Sequence, residues 1–497
     1  MKVSELLRQL ASNGASVTLQ GAEQGVDPQL LRACFDSRQV QPGDLFCALG
    51  GYRTDGRRFL SEAFERGAAA FLLQGESQYG TVAHLTLPKS WSTTEVAALA
   101  GVMAHELLGR PTDDLWVGAV TGTNGKSTVV HLLEHAMSAC GIATACGGTL
   151  GLRFQQKEQS ILNTTPPADV LHNWMQQVLH GGGEAVVLEA SSIGLEQERM
   201  SGVSLNCAAW TNLSHDHLDI HHSMEAYAKA KAEMFLRLDA SAMALLPSNL
   251  ELQALCADSP AQKLVWGLHA EAADLRGTCT ADASGLVLSI FGVLGEGVIQ
   301  SSLIGTHNAE NLLVAFGMMR AAGIATDAAC AALQSCTAAP GRLQRVVPDF
   351  HAQLFVDYAH SPEALKHVLQ ALRSAFPDAR LGVVLGAGGD RDREKRGPMG
   401  IAAGSTADWC VVTSDNPRCE DPQQIAGAVH QGVQSTDCPS ILETDRRAAI
   451  RLAVARLLPG DVLLLAGKGH ETYQEINQVR HPFDDRVELA QAVACLT

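Results

Sequence analysis

The stretch Leu115-Trp-Val-Gly-Ala-Val-Thr-Gly-Thr-Asn-Gly-Lys-Ser-Thr128 is an apolar run and a glycine-rich turn, and the helical pattern Val129-Val-His-Leu-Leu-Glu-His follows it. A strand, a turn and a helix in this order are typical of a phosphate loop. Gly122 and Gly125 let backbone N–H groups approach phosphate oxygens, Lys126 can reach the β and γ phosphates, and the Ser127 hydroxyl can bind magnesium. The alternative, a turn with a surface lysine, is disfavoured because both flanks fit.

The rest of the chain repeats the alternation of short apolar runs with amphipathic helical stretches. This pattern predicts an α/β fold with mostly parallel sheets covered by helices. The 497 residues exceed what one core usually organises, and two polar connections, Pro88–Thr94 and Ala338–Arg342, are candidate boundaries. We therefore expect three domains, at 1–90, 91–338 and 339–497.

Composition excludes several classes of function. A net charge of −16 disfavours a nucleic-acid surface, and no apolar run approaches the roughly 20 residues that span a bilayer. The N-terminal segment lacks the apolar core of a secretory signal. Thirteen cysteines without a C-x-x-C pair indicate neither a disulfide framework nor a zinc site. We expect a cytoplasmic protein with small-molecule substrates, no nucleic-acid partner and no membrane insertion, acting as a monomer.

Two further segments carry candidate metal ligands. Glu189 ends the apolar run 184–189, and strand ends are where α/β sheets place ligands, so its carboxylate is a candidate for magnesium. By itself, a solvated strand-end glutamate is the commoner case. The segment Thr211–Asp219 clusters His215 and His217, and Lys231 follows in a helical stretch. Taken singly, such a histidine is more often structural and such a lysine more often solvated.

The ordered motifs resemble those of the Mur ligase family along nearly the whole chain. The motifs are Asp36-Ser-Arg38, Asp55-Gly-Arg-Arg58, Gly122-Thr-Asn-Gly-Lys-Ser127, Asn163-Thr-Thr165, Glu189-Ala-Ser-Ser192, Asn212-Leu-Ser-His-Asp-His-Leu-Asp219, Tyr227 with Lys231, Gly305-Thr-His-Asn308 with Asn311, Pro340-Gly-Arg342, Asp357-Tyr-Ala-His-Ser-Pro362, Gly388-Gly-Asp-Arg-Asp392, Asp415-Asn-Pro-Arg418 and Gly467-Lys-Gly-His-Glu471. The resemblance implies a smaller N-terminal α/β domain, a central P-loop domain and a C-terminal Rossmann-like domain.

By this resemblance the central domain binds ATP. The implied ATP contacts are Gly122, Thr123, Asn124, Gly125, Lys126, Ser127, Thr128, Asn308, Asn311, Arg342, Asp357 and His360. Ser127 is expected to hold one magnesium ion, and Glu189, His217 and Lys231 a second. Lys231 matches a lysine that CO2 carbamylates in this family, which turns an ammonium into an anionic metal ligand. Lys126, Lys231 and His217 are the implied catalytic residues.

The resemblance also implies where a UDP-linked muramoyl dipeptide is bound. The implied contacts are Phe35, Ser37, Tyr52, Arg53, Thr54, Asn163, Thr164, Thr165, Ser191, Gln197 and Arg199. Arg199 suits an anionic partner because its planar guanidinium can form two parallel hydrogen bonds. For Asp36–Arg38, a turn closed by the aspartate side chain is the plain alternative.

The acceptor implied is meso-diaminopimelate. Its implied contacts are Arg391, Asp415, Asn416, Pro417, Arg418, Gly467 and Glu471. Arg418 can pair with the distal carboxylate that lysine lacks, and Glu471 can hold an ammonium group. Without the family context, Asp415–Arg418 would be interpreted as a turn.

The implied reaction transfers the ATP γ-phosphate to the D-glutamate side-chain carboxylate, and the diaminopimelate amine then attacks the acyl phosphate. Two alternatives stay open at this point. One is a relative with another acceptor, such as a lysine-adding ligase or a folylpolyglutamate synthase, which Asp415–Arg418 disfavours. The other is a P-loop ATPase or nucleotide-binding module without ligation, which leaves Lys231 and Arg418 unexplained.

Overall fold

The structure is a computed structural model that describes residues 1–12, 17–20, 27–50, 54–75 and 82–496. Backbone contacts divide the chain into two compact units. The first unit comprises Met1–Arg276, Phe291–Gly295 and Leu313–Ala332, and the second comprises Gly277–Ile290, Glu296–Leu312 and Leu333–Thr497. Each unit is described by itself below. No helix in these described ranges has the length and apolar character required to cross a bilayer.

The first unit begins with a five-stranded sheet. Its elements are α1 (Val3–Ser12), β1 (Thr18–Gln20), β2 (Ala33–Cys34), β3 (Leu45–Cys47), α2 (Leu60–Glu65), β4 (Ala70–Gln74) and β5 (Ala83–Leu87). The strand order is β1-β5-β4-β3-β2, and all neighbours are parallel except β1 and β5. Helix α3 (Thr93–Leu107) follows, and a capping box of Ser92 and Glu95 fixes its first turn.

The larger sheet of the first unit carries the glycine-rich turn. The elements from the turn onwards are β6 (Trp116–Thr121), α4 (Lys126–Ala139), β7 (Thr144–Gly148), β8 (Gly151–Phe154), β9 (Lys157–Gln159), α5 (Ala168–His180), β10 (Ala185–Glu189), α6 (Ser192–Glu196), β11 (Cys207–Trp210), α7 (Leu218–His221), α8 (Met224–Leu236), β12 (Met243–Pro247), α9 (Leu250–Leu255) and β13 (Gln262–Leu268).

These strands take the order β9-β8-β7-β10-β6-β11-β12-β13. Strands β7, β10, β6, β11, β12 and β13 are parallel, whereas β8 and β9 are antiparallel additions at one edge. The carboxyl ends of the central strands β10, β6 and β11 therefore meet at one edge of the sheet. One core cluster of this sheet includes Trp210, which stacks on Phe235 of α8 with ring centroids 5.7 Å apart.

Four elements of the chain contain residues of both units. Strand β14 (Leu275–Asp282), strand β15 (Gly285–Gly292) and helix α10 (Thr306–Ala321) each contain residues of both units. Strand β16 (Gly297–Ser301) lies in the second unit and pairs antiparallel with β15. Helix α11 (Thr326–Gln334) is the fourth element with residues of both units.

The second unit contains a six-stranded sheet. Its remaining elements are β17 (Gln344–Val346), β18 (Gln353–Asp357), α12 (Pro362–Ala375), β19 (Leu381–Leu385), α13 (Arg396–Gly404), β20 (Trp409–Val412), α14 (Pro422–Gln434), β21 (Ser440–Leu442), α15 (Arg446–Ala455), β22 (Val462–Ala466), β23 (Tyr473–Ile476), β24 (Val479–Pro482) and α16 (Asp485–Ala494). The order is β17-β18-β22-β19-β20-β21, parallel except for β17, and β23 and β24 form a hairpin. Apolar clusters on both faces bury this sheet. The predicted α/β class with mostly parallel sheets is confirmed.

Candidate active site

The turn between β6 and α4 has the backbone form that its glycines permit. Gly122 and Gly125 have φ of 143° and 88°, and a Cβ on Gly122 would collide with the Thr211 hydroxyl. Residues other than glycine rarely adopt such φ values, because their Cβ atom clashes with the backbone. The first N–H groups of α4 have no partner inside the helix, so the turn presents donors and the positive end of the helix dipole to a bound anion.

The segment after β11 supports this turn. The Asn212 carbonyl accepts a hydrogen bond from the Thr123 N–H at 3.0 Å, and its side-chain oxygen accepts one from the Asn124 N–H at 2.9 Å. The Thr211 hydroxyl donates to the Asn124 carbonyl at 2.6 Å. These bonds join residues about 90 positions apart, so the histidine-containing segment holds the turn in place.

Two side chains of the turn point to different partners. The Lys126 ammonium donates to the carbonyls of Gly122 and Thr123 at 2.7 and 2.9 Å. The Ser127 hydroxyl donates to Glu189 Oε2 at 2.9 Å. Glu189 is the last residue of β10 and only 2% exposed, and Thr149 donates to its carboxylate through both its N–H and its hydroxyl. A hydroxyl and a carboxylate at this spacing supply the hard oxygen donors that Mg²⁺ prefers.

Lys231 of α8 lies beside the same turn. Its side chain is buried, donates to the Gly122 carbonyl at 2.9 Å and lies 4.4 Å from the centroid of the Tyr227 ring. Burial, reinforced by the nearby Lys126 cation, holds the pKa of Lys231 well below its usual range. A neutral amine is the form that reacts with CO2, so the environment of Lys231 suits carbamylation.

His217 has a more open position than its predicted metal partners. Its side chain is 47% exposed, its nearest ionic partner is Asp216 at 3.6 Å, and its ring centroid lies 6.2 Å from that of Tyr227. Within the described ranges, no three His, Cys, Asp or Glu side chains converge closely enough to hold a metal ion. Lys231 and His217 both lie beside the Tyr227 ring, and a carbamate on Lys231 would add an anionic oxygen donor there.

The residues predicted for the muramoyl dipeptide fall into one cluster next to Glu189. The Thr165 hydroxyl donates to the Glu189 carbonyl at 2.8 Å and lies 3.1 Å from the Ser191 hydroxyl. The Arg199 guanidinium donates to the Thr165 carbonyl at 2.8 Å and to Gln197 Oε1 at 2.5 Å. Thr164 lies within hydrogen-bond distance of Thr149, whereas Asn163 is exposed.

The residues predicted to hold UDP are described only in part. The Phe35 N–H donates to Asp169 Oδ2 at 2.9 Å, which ties this residue to the first turn of α5, and the Ser37 hydroxyl donates to Glu62 at 2.6 Å. Thr54 is exposed. Tyr52 and Arg53 lie outside the described residues.

The second unit holds the other predicted ATP contacts. Asp357 ends β18 and accepts hydrogen bonds from the N–H groups of Leu343 and Ala359 at 2.5 and 2.7 Å. Burial raises the pKa of Asp357, and the nearby Arg342 cation opposes that shift. The Arg342 guanidinium lies 4.8 Å from the Tyr358 ring centroid, and His360 Nδ1 lies 2.7 Å from the Tyr358 carbonyl.

Asn308 and Asn311 of α10 are both buried. The Asn311 side-chain amide donates to Asn308 Oδ1 at 3.0 Å, and that of Asn308 donates to the Ile304 carbonyl at 2.8 Å. These two side chains therefore form one hydrogen-bonded pair on α10.

Three segments predicted to bind the amino acid meet within the second unit. The Arg418 guanidinium donates to the Gly389 carbonyl at 2.6 Å, and the Gly389 N–H donates to the Asn416 carbonyl at 2.9 Å. The Asn416 side-chain amide donates to Glu471 Oε2 at 2.8 Å. The segments 388–391, 415–418 and 467–471 are thus in direct contact, while the Arg391 side chain is exposed.

Two residues of this cluster were missed by sequence reasoning. The Lys468 ammonium is fully buried and donates to Asn416 Oδ1 at 3.2 Å and to Glu471 Oε2 at 2.9 Å. Glu475 donates its N–H to Asn416 Oδ1 at 2.9 Å, and its carboxylate lies 3.8 Å from Arg418 Nε. The motif Gly467–Glu471 offered the signal for Lys468, whereas nothing in the local sequence of β23 distinguishes Glu475.

Comparison with known proteins covers most of the chain. Residues 34–104 match the description Mur ligase family, catalytic domain; residues 120–319 match the Mur ligase middle domain; residues 341–469 match the Mur ligase, glutamate ligase domain. A protein of Chlorobium phaeobacteroides named UDP-N-acetylmuramoyl-L-alanyl-D-glutamate--2,6-diaminopimelate ligase is 36% identical, with 99% of this chain and 97% of the relative covered.

A protein of Chromobacterium violaceum with the same name is 38% identical, with 92% of this chain and 95% of the relative covered. A solved structure with that ligase name is 34% identical and superimposes with a TM-score of 0.69, covering 94% of this chain and 95% of the other. The predicted three-domain α/β fold of the family is confirmed by these matches. The chain belongs to the Mur ligase family.

Proposed function

We propose that this chain is an ATP-dependent ligase that adds meso-diaminopimelate to the D-glutamate side-chain carboxylate of UDP-N-acetylmuramoyl-L-alanyl-D-glutamate, a step in making peptidoglycan precursors. The observation that carries the proposal is the cluster in the second unit, where Arg418 lies beside the paired side chains of Asn416 and Glu471. A guanidinium and carboxylates at one site suit a ligand that carries both carboxylate and ammonium groups. The names of relatives that span nearly the whole chain agree with this acceptor.

The phosphate-loop turn is our proposed site for the ATP phosphates. The N–H groups at the start of α4 and the Lys126 ammonium would neutralise the charge that develops as the γ-phosphoryl group is transferred. Lys126 now donates to two carbonyls of the turn, so it has to exchange these partners for phosphate oxygens when ATP binds. Asn308, Asn311, Arg342, Asp357 and His360 are the proposed ATP contacts of the second unit.

We propose that two magnesium ions act with these residues. The Ser127 hydroxyl would hold one ion, and Glu189, His217 and a carbamate on Lys231 would hold the other. When bound, the ions would supply charge neutralisation between ATP and the acceptor carboxylate. A carbamate nitrogen keeps one N–H, so the bond from Lys231 to the Gly122 carbonyl can persist after the modification.

The muramoyl dipeptide is assigned to the cluster around Glu189. Arg199, Gln197, Ser191 and the 163–165 segment would position the D-glutamate carboxylate near the phosphate loop. UDP would be contacted by Phe35, Ser37, Tyr52, Arg53 and Thr54. Transfer of the γ-phosphate to this carboxylate gives an acyl phosphate, and the diaminopimelate amine then forms the amide and releases phosphate. Positioning of these groups supplies most of the rate enhancement.

The proposal also includes the organisation of the chain. We place domain boundaries near residues 90 and 338, for a UDP-binding domain at 1–90, an ATP-binding domain at 91–338 and an amino-acid-binding domain at 339–497. The enzyme would act as a monomer in the cytoplasm, where its UDP-linked substrate and ATP are available.

A ligation assay tests the proposal directly. The full chain is incubated with UDP-muramoyl dipeptide, ATP, magnesium and either meso-diaminopimelate or lysine, and the product mass and ADP release are measured. We expect a diaminopimelate adduct. ADP formation should depend on both the UDP-muramoyl dipeptide and diaminopimelate. Equal amounts of the two adducts would indicate another acceptor class, and ADP release without the muramoyl substrate would indicate a simple ATPase.

A further inference from the structure

Arg446 and Asp485 form a fully buried ion pair in the second unit, outside the set of residues assigned above. Arg446 is the first residue of α15 and Asp485 is the first residue of α16, and both side chains have 0% exposure. The guanidinium donates through Nε to Asp485 Oδ1 at 2.8 Å and through Nη2 to Oδ2 at 2.6 Å. The start of α16 favours the carboxylate because the helix dipole is positive there.

The same guanidinium also contacts two backbone carbonyls. Arg446 Nη1 donates to the Ser414 carbonyl at 3.2 Å, and Nη2 donates to the Ala466 carbonyl at 3.0 Å. Ser414 directly precedes Asp415, and Ala466 is the last residue of β22, directly before Gly467. One planar side chain therefore holds the starting points of the two segments proposed to bind the amino acid.

The two segments contact each other just beyond these carbonyls. Gly467 has a φ of 114°, and a Cβ at that position would stand 2.5 Å from Asp415 Oδ2. The Ser414 hydroxyl donates to the Thr444 carbonyl at 2.7 Å, immediately before the Asp445 cap of α15. A shift of either segment by a fraction of an ångström would disturb the contact between Asp415 and Gly467.

We infer that Arg446, oriented by Asp485, is a positioning residue that fixes the Asp415–Arg418 segment against the Gly467–Glu471 segment and so sets the geometry of the amino-acid pocket. This inference rests on the proposed function. Burial by itself would lower the pKa of Arg446. The Asp485 carboxylate, together with the nearby carboxylates of Asp415 and Glu471, raises this pKa instead, so the guanidinium stays charged. A lysine could not replace it, because an ammonium lacks the planar fork that reaches a carboxylate and two carbonyls together.

The neighbouring pair of Arg447 and Glu488 provides a matched control. It joins the same two helices, with Arg447 Nη2 2.6 Å from Glu488 Oε1, but the Arg447 side chain is 48% exposed. Within the described part of the chain, the hydrogen bonds of its guanidinium go only to Glu488. Loss of this pair weakens the contact of α15 with α16 without touching the carbonyls of Ser414 and Ala466.

The test compares Arg446→Lys with Arg447→Lys in the ligation assay on the full chain. We expect Arg446→Lys to raise the KM for diaminopimelate roughly 10-fold or more, with the KM for ATP unchanged within about 2-fold, because only one pocket is displaced. Arg447→Lys should change neither KM by more than about 2-fold. A merely structural role for Arg446 would lower kcat through a smaller folded fraction and leave both KM values unchanged, and this result would overturn the inference.

A double variant covers the case in which Arg446→Lys does not fold. Arg446→Met combined with Asp485→Leu replaces both charges with apolar side chains, which proteins tolerate far better than one unpaired buried charge. We expect this variant to melt near the wild-type temperature and still show the raised KM for diaminopimelate. A wild-type KM in the folded double variant would contradict the inference. Failure of the wild-type enzyme to ligate diaminopimelate would instead contradict the proposed function, and the two failures are therefore distinguishable.

Discussion

Lys126 is the residue on which the proposed phosphoryl transfer depends most. Its ammonium already lies at the turn, donating to the carbonyls of Gly122 and Thr123. We expect Lys126→Met to lower kcat by on the order of 1,000-fold, since the cation at the β and γ phosphates is lost. The matched control is Lys229→Met, which removes an exposed lysine that pairs only with Glu225 in the described part of the chain. Similar steady-state rates for both variants would refute the phosphate-loop assignment.

Lys231 allows a direct test of the proposed carbamate. Its lowered pKa leaves the amine neutral and reactive above that pKa, so carbamylation should increase as the pH rises. We expect Lys231→Ala to lose nearly all activity, with no recovery in bicarbonate but partial recovery with a small carboxylate such as acetate. Rates are measured in CO2-depleted and bicarbonate-containing buffers, with Lys229→Ala as the control. Wild-type rates in Lys231→Ala would show that no carbamate is needed.

The contact between α3 and α5 contains a buried histidine pair. The ring centroids of His105 and His172 lie 5.0 Å apart. Burial lowers the pKa of His105 to about 4 and that of His172 to about 3. An unfolded histidine titrates near pH 6.5, so between that pH and about pH 4 the unfolded chain binds more protons than the folded one. These groups therefore stabilise the fold above pH 6.5, and that contribution is lost as the pH falls towards 4.

This pH dependence of the two histidines leads to a stability prediction for the first unit. The free energy of unfolding of the wild type, obtained from urea denaturation between pH 7.5 and pH 4.5, should fall below about pH 6.5. The decrease should be at most about 1.4 kcal/mol per pH unit for each ring. A double variant, His105→Gln with His172→Gln, should start lower at pH 7.5 but decrease less steeply. Parallel slopes for the two proteins would mean that other groups control acid unfolding.

Elements with a strong local pattern were predictable from the sequence. The apolar run, glycine turn and helix at 115–128 correspond to β6, the turn and α4, and Glu189 lies at the end of β10 as its pattern indicated. The turn proposed as the plain alternative for Asp36–Arg38 is also present, with the Arg38 N–H donating to Asp36 at 3.0 Å. Each of these features is set by residues within a few positions of one another.

Contacts between distant residues could not be predicted in the same way. Arg446 and Asp485 are 39 positions apart, and Lys468 and Asn416 are 52 apart. Their pairing follows from strand order and helix packing, which local patterns do not encode. The positions of His217 at an exposed site and of Lys231 at a buried one likewise depend on how α8 packs against the turn, and the sequence motif alone does not distinguish them.

For the enzyme as a whole, we propose that the chain selects its amino acid by a carboxylate that lysine lacks. Arg418 lies at the contact of the three segments of the pocket and has a side chain 22% exposed, so its guanidinium is shielded yet accessible. If it pairs with the distal carboxylate, Arg418→Ala should lower kcat/KM for diaminopimelate by on the order of 100-fold or more. Lysine should change little, and Arg418→Lys should restore little, because an ammonium lacks the two-bond fork.

The most direct measurement is the ratio of kcat/KM for diaminopimelate to that for lysine, determined for the wild type, for Arg418→Ala and for Arg393→Ala. Arg393 is the matched control, since it is an exposed arginine that pairs with Glu420 at 3.1 Å. We expect a high ratio in the wild type and in Arg393→Ala, and a ratio on the order of 100-fold lower in Arg418→Ala. A ratio that stays the same in all three proteins would contradict the assignment of Arg418 to the distal carboxylate.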